Sequence, residues 1–263
     1  MKKIIVTGSC GFIGFNLINS LSDTYKIIGI DSLNNAYDNN LKKLRLDKLK
    51  NLANFEFKNI NFSNESDLVE NNEIFNNCTA IVHLGARAGV RQSFADPEKY
   101  LIDNTLGTSN LSLKVKEFEI PRFILASTSS IYGDTGSKLA VENQDELTQP
   151  PSVYASTKWA VIGLTKSIAS LIATENITSN VICPGLVDTK LVDNEYFLKG
   201  MSPQDPTMDA LNKMVKQWSP MKIGVLKAEN IGIMISRFFD KEMSLITGEV
   251  IDVSAGAGAN WMA

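Results

Sequence analysis

The chain has 263 residues, of which 44% are hydrophobic and 21% charged, and its formal net charge is −3. That length and balance suit a soluble globular protein whose core needs no disulfide or metal staple. The absence of a basic surplus argues against nucleic acid or an anionic membrane as partner. Short apolar, β-branched runs then alternate with helix-like stretches along the chain. Strands are expected near 3–7, 26–30, 55–59, 80–84, 122–127, 179–183 and 250–253, and helices near 12–22, 41–49, 65–75, 97–118, 151–174, 207–218 and 228–239. This alternation predicts an α/β fold: a Rossmann-like, doubly wound, seven-stranded and mainly parallel sheet with helices on both faces. With no repeat or linker, residues 1–263 read as one domain. The least regular segments, 32–40, 132–149 and 186–206, would lie beyond the strand C-termini, where ligands bind.

Three cysteines (Cys10, Cys78 and Cys183) lie far apart with no C-x-x-C, and His83 is the single histidine, so neither a disulfide framework nor a metal site is expected. No apolar run reaches membrane-spanning length. The opening Met-Lys-Lys passes directly into an apolar strand, so no signal peptide is expected and the default compartment is the cytoplasm.

The first strand runs into Thr7-Gly8-Ser9-Cys10-Gly11-Phe12-Ile13-Gly14. Gly8 permits a sharp turn, Gly11 lets the backbone approach a pyrophosphate, and Gly14 lets the following helix pack on the strand. Free N–H groups at that helix N-terminus, with Phe12 and Ile13, would face the phosphates. The second strand ends at Asp31, whose carboxylate would accept from the adenosine ribose hydroxyls and repel a 2′-phosphate. NAD is therefore expected over NADP.

Tyr154 and Lys158 lie four apart at the start of a predicted helix and so share a face. A free tyrosine has a pKa near 10, and an ammonium with a positive nicotinamide ring would both lower it. Tyr154 would then exchange a proton at the substrate oxygen while hydride moves. A hydroxyl to polarise that oxygen is available in Ser127-Thr128-Ser129-Ser130-Ile131-Tyr132-Gly133.

Together these residues resemble the short-chain dehydrogenase/reductase superfamily over essentially the whole chain, in two styles. Up to about residue 158, TGSCGFIG, GIDSLNNAYDNNLKKLRL, HLGARAGVRQS, DNTLGTSNL, ASTSSIYGD and YASTK are similar to the extended, sugar-nucleotide branch, especially UDP-glucuronate 4-epimerases. From about Trp159, WAVIGLTKSIA, NVICPGLVDT and ITGEVIDVSAGAG resemble the short, single-domain dehydrogenase branch. The extended branch's R-x-F-N-x-Y-G-P run is absent, and only about a hundred residues follow Lys158, too few for the usual sugar-nucleotide lobe. The extended register makes Thr128 catalytic, with Ser129 and Ser130 lining the pocket; the short register points to Ser130.

The resemblance also implies that Pro184, Gly185, Val187 and Thr189 hold the nicotinamide amide. Asn61 stands where the family usually has an Asp reading the adenine amine. His83 stands where the family commonly has a packed histidine, a structural reading set against a catalytic one, while Gly85 and Ala86 would leave room for the cofactor. Asn104 would support Lys158 through a backbone bend and water, or be a helix-surface amide. Arg87 and Arg91 would bind an anionic substrate, or be surface arginines. Residues 186–221 would form a substrate loop or lid, and the Met- and aromatic-bearing stretch 196–221 within it could equally be a packed surface helix. Long helices in this superfamily often make dimer faces, so a homodimer or homotetramer is expected, with Trp159, Trp261 and Met262 either contact candidates or helix-on-sheet core packing. Three functions follow: an NAD-dependent oxidoreductase of an alcohol or carbonyl, an NAD-dependent nucleotide-sugar epimerase, or a non-catalytic NAD-binding module.

Overall fold

A computed structural model describes residues 1–128, 131, 152–190 and 192–256. Strands β1 (Lys2–Thr7), β2 (Tyr25–Asp31), β3 (Phe55–Asn59), β4 (Cys78–His83), β5 (Arg122–Ala126), β6 (Thr178–Pro184) and β7 (Val250–Val253) form one sheet in the order β3-β2-β1-β4-β5-β6-β7. Every neighbouring pair is parallel. The strand order reverses between β1 and β4, and the C-terminal ends of these two strands mark the switch point at which doubly wound sheets bind ligands.

Because side chains alternate across a strand, each buried strand feeds two cores. Ile5, Ile81, Phe123, Leu125 and Val181 join one cluster, while Ile4, Val6, Val82, Ile124 and Ile182 join the other. Helices α1 (Phe12–Leu21) and α10 (Ala228–Arg237) cover the second face through Leu17, Ile18, Ile231 and Ile235. Helices α6 (Gly107–Glu117) and α7 (Val153–Ile172) cover the first through Leu111, Val115, Val161 and Ile168. Phe123 is fully buried at the centre of that face. Phe123→Ala is expected to cost about 3–5 kcal/mol, read as a lower urea midpoint with unchanged slope.

The strands and most helices fall within a residue or two of their expected bounds, with local differences that have physical causes. The stretch expected as one helix over 65–75 is α3 (Glu65–Glu70) followed by a 3₁₀ turn. Asn71 caps it and its amide takes the Asp67 carbonyl at 2.8 Å. The stretch expected over 97–118 opens as α5 (Pro97–Tyr100), widens into a π-helical turn (Leu101–Leu106) and continues as α6. Such turns insert one extra residue and recur at functional sites. Helices α2 (Asn39–Leu49) and α9 (Met208–Trp218) match expectation, whereas α4 (Val90–Ala95) and α8 (Glu195–Met201) were not expected. Six or seven residues are too few to show a helical period.

Residues between β6 and β7 build a third, smaller core. Val192, Leu198 and Leu211 are buried, and Phe197, Met201, Met208 and Met214 pack against them. This segment leaves and rejoins the sheet side at a parallel bridge between Val187 and Leu226. Among the described residues, no helix is long and apolar enough to cross a membrane.

Candidate functional site

The loop after β1 is closed by contacts that exclude side chains. Gly8 has φ +66, and a Cβ there would lie 2.8 Å from the Gly85 backbone nitrogen. A Cβ on Gly14 would lie 2.3 Å from the Gly8 carbonyl oxygen. These approaches seat α1 directly beneath the loop, with Gly11 as its N-cap and Phe12 and Ile13 in its first turn. No side chain caps that end and its first turn holds no acidic residue. Its N–H groups and positive dipole end thus meet no competing carboxylate, and an anionic pyrophosphate fits the cradle.

At the end of β2, Asp31 is buried and heavily engaged. One oxygen accepts from the Cys10 N–H at 3.2 Å, the other from the Leu33 N–H at 2.9 Å. The Lys42 ammonium stands 3.4 Å away, itself buried and lying over the Tyr37 ring. Tyr37 donates to the Cys10 carbonyl at 2.8 Å, and Arg45 donates to the same carbonyl at 3.2 Å. Burial pushes the Tyr37 phenol up to about 12. Asp31 is therefore one half of a buried ion pair rather than a bare carboxylate. Sequence reasoning missed Lys42, Tyr37 and Arg45, although the i, i+3 spacing of the two cations puts them on one face of α2. Asn61 lies exposed after β3, its side-chain oxygen accepting from the Ser63 N–H at 3.2 Å.

Beyond β5 the chain brings Thr128, Tyr154 and Lys158 together. Ser152 starts α7 by accepting from the Ala155 N–H at 3.1 Å, a cap that fixes where the helix begins. Tyr154 and Thr128 share a side-chain hydrogen bond, which opposes the rise in the Tyr154 pKa that burial imposes. Lys158 directs its ammonium to the Ala126 carbonyl at 2.8 Å, and Ser127 donates to the Lys158 carbonyl at 3.0 Å. Burial lowers the Lys158 pKa to about 8. Ser129 and Ser130 lie outside the described residues.

Asn104, in the π-helical turn, is buried and braces two segments at once. Its side-chain oxygen accepts from the Arg87 N–H at 2.7 Å, and its amide donates to the Arg87 carbonyl and the Thr157 hydroxyl, each at 3.0 Å. These bonds tie the turn after β4 to α7. Gly85 is buried against Phe62 and Thr7, where a Cβ would lie 2.6 Å from the Phe62 ring. Ala86 follows it, half-buried.

On the other side, Pro184 ends β6, and Gly185 donates to the Val253 carbonyl at 3.0 Å. Val187 is buried in the bridge to Leu226, and the Thr189 carbonyl accepts from the Val192 and Asp193 N–H groups. Arg87 pairs with Asp103 at 2.5 Å. The Arg91 guanidinium stacks on the exposed Tyr196 ring of α8, 3.0 Å from its centroid, so α8 touches α4. Trp159 packs on the first core and donates to the Ile131 carbonyl at 3.0 Å; Trp261 and Met262 lie outside the described residues.

Two family models match the chain: the NAD dependent epimerase/dehydratase family over residues 4–195, and Enoyl-(Acyl carrier protein) reductase over residues 134–258. An uncharacterised protein of Methanocaldococcus jannaschii is 46% identical over 163 residues, and a UDP-glucuronate 4-epimerase of Thermodesulfobacterium geofontis is 41% identical over 159. Each match takes in 60% of this chain and 48% of the relative, so the chain spans about half the length of the curated relatives it matches. Carveol dehydrogenase from Mycobacterium avium, solved with NAD, superposes with TM-score 0.77 at 17% identity, covering 97% of each chain. UDP-glucuronic acid 4-epimerase from Bacillus cereus, solved with NAD, superposes with TM-score 0.73 at 23% identity, covering 96% of this chain and 77% of that one. At such identities the superpositions speak for the fold alone, a Rossmann-like, doubly wound α/β sheet.

Proposed function

The chain belongs to the NAD dependent epimerase/dehydratase family, and from that premise we propose that it is an NAD-dependent oxidoreductase of an alcohol or carbonyl substrate. The observation that carries this reading is the Tyr154–Thr128 hydrogen bond beside Lys158, at the strand ends that also hold the glycine loop. NAD supplies the carbon that takes up or returns hydride. Gly8, Gly11, Gly14 and the first turn of α1 would hold its pyrophosphate, Asp31 with Lys42 its adenosine ribose, and Pro184 to Thr189 its nicotinamide end. Tyr154 donates or accepts the proton at the substrate oxygen, and Thr128 hydrogen-bonds to that oxygen. Lys158 holds positive charge beneath the site, which favours the phenolate. Asn104 keeps Thr157, one residue before Lys158, in place.

Residues 186–221 would act as a lid over the substrate, hinged at the Val187–Leu226 bridge. Arg91, on which Tyr196 lies, would meet an anionic group when that lid moves, and Arg87 would do so in exchange for Asp103. A homodimer or homotetramer remains the proposed assembly. The dehydrogenase is favoured over the epimerase because the segment between Pro184 and Val250 is short and holds α8, α9, α10 and one 3₁₀ turn (Lys241–Leu245) among the described residues. The epimerase is the second reading, favoured by the 41% identity to a UDP-glucuronate 4-epimerase. Following NADH absorbance across alcohols, ketones and UDP-sugars separates them. Turnover-linked NADH formation with an alcohol supports the first; interconversion of UDP-sugars without net NADH supports the second.

The same reading makes Gly14 sensitive. Crowding of the kind its Cβ would cause costs about 1–3 kcal/mol. Gly14→Ala is therefore expected to weaken NADH binding by about 10-fold in a fluorescence titration. An unchanged affinity would remove this loop from the cofactor site.

A further inference from the structure

We propose that His83 is a positioning residue that locks the cofactor loop to the catalytic helix through one continuous, uniquely ordered hydrogen-bond chain. The Gly85 N–H donates to the Thr7 hydroxyl at 3.0 Å, and that hydroxyl lies 2.8 Å from His83 Nδ1. On the other side of the ring, Nε2 lies 2.9 Å from the Thr108 hydroxyl, which donates to the Asn104 carbonyl at 2.6 Å. The Asn104 side chain continues to Thr157, whose hydroxyl donates to the Tyr154 carbonyl at 2.8 Å.

A carbonyl can only accept, so the Thr108 proton is committed to Asn104 and Thr108 must accept from Nε2–H. His83 Nδ1 then carries no proton and accepts from Thr7, whose oxygen is left to accept from Gly85. One tautomer satisfies every member. A doubly protonated ring would leave the Thr7 proton without its acceptor.

Thr7, His83 and Thr108 are 0%, 4% and 0% exposed, so bulk water cannot replace a lost link. Phe62 meets the ring edge-on at 5.1 Å and Phe123 lies along its face at 6.3 Å, which fixes its plane. Fully satisfied networks of this kind rigidify what they join, and here the joined parts are the Gly8–Gly85 contact and the turn carrying Asn104.

The inference rests on the proposed reading only in assigning cofactor and catalytic roles to the two ends, and its test needs no cofactor. The full chain has one histidine, so ¹⁵N NMR reports this ring without ambiguity. The wild-type ring at neutral pH is expected as the Nε2–H tautomer. Removing the acceptor in Thr108→Val should speed hydrogen exchange of the Gly85 N–H, at the far end of the chain, by about 10-fold or more. Thr108→Ser, which restores the hydroxyl, should return it to near the wild-type rate. A merely local packing role would change neighbours of Thr108 and leave Gly85 protected, and would not be rescued by Ser. An Nδ1–H tautomer in the wild type, or a folded Thr108→Val with unchanged Gly85 exchange, overturns the inference. Should Thr108→Val not fold, the wild-type tautomer and the Ser variant decide alone. Failure of the wild type to bind NADH would instead count against the proposed function.

Discussion

Tyr154→Phe is expected to lower turnover by about 10³-fold, the scale of a lost general acid–base, while NADH affinity stays within about twofold. The substitution removes one oxygen and little else. The ring keeps its edge-to-face contact with Tyr100, at 6.3 Å between centroids, and the Ser152 cap still sets the start of α7. What disappears is the hydroxyl that bonds to Thr128 and would hand the proton to substrate. Burial holds the phenol above its ordinary pKa, and the positive charges of Lys158 and of an oxidised nicotinamide ring would draw out the phenolate. A rate that falls with loss of that hydroxyl, and not with loss of cofactor binding, is the pattern expected. If Tyr154→Phe turned over at the wild-type rate, the chain would be read as a cofactor-binding module without catalysis.

The second large effect is on stability in acid. Burial, with the Lys158 charge beside it, pushes the His83 pKa down to about 3, whereas in the unfolded chain it is about 6.5. The folded state therefore refuses a proton that the unfolded state accepts. The stability tied to neutral His83 is fully present above about pH 6.5 and is lost as pH falls toward 3, to a ceiling of about 5 kcal/mol. Between about pH 6 and 5, below the unfolded His pKa and above most carboxylate pKa values, the expected slope approaches about 1.4 kcal/mol per pH unit. Urea midpoints across that window should fall steadily in the wild type and stay flat in His83→Gln, which starts from a lower value because Thr7 and Thr108 lose their shared partner. A wild type with no slope there would mean that the ring is charged in the fold.

Much of this was legible in the sequence because it depends on local pattern. Runs such as Lys-Lys-Ile-Ile-Val-Thr are short, apolar and β-branched, as a strand buried on both faces requires, and the glycine loop opens a helix directly after such a run. The spacing of Tyr154 and Lys158 needs only a helix between them. Relations set by tertiary contact were not legible. Lys42 neutralises Asp31 only because α2 folds back over the end of β2. The π-helical turn follows from Asn104 serving Arg87 and Thr157 at once, partners that are 17 and 53 residues away. His83 read as packing, since nothing in HLGA tells which hydroxyls will flank the ring. The alternatives Thr128 and Ser130 differ by two residues of register; Thr128 lies against Tyr154, and Ser130 lies outside the described residues.

The most direct test of the central claim is the nucleotide content of the purified chain. An epimerase regenerates its own NAD and gains by retaining it, whereas a dehydrogenase must exchange oxidised for reduced cofactor at every turnover. Protein purified without added cofactor would be denatured and the released nucleotide quantified per chain. The oxidoreductase reading predicts a nearly empty protein that then binds added NADH reversibly. Near-stoichiometric NAD would contradict it and assign the site to sugar-nucleotide epimerisation.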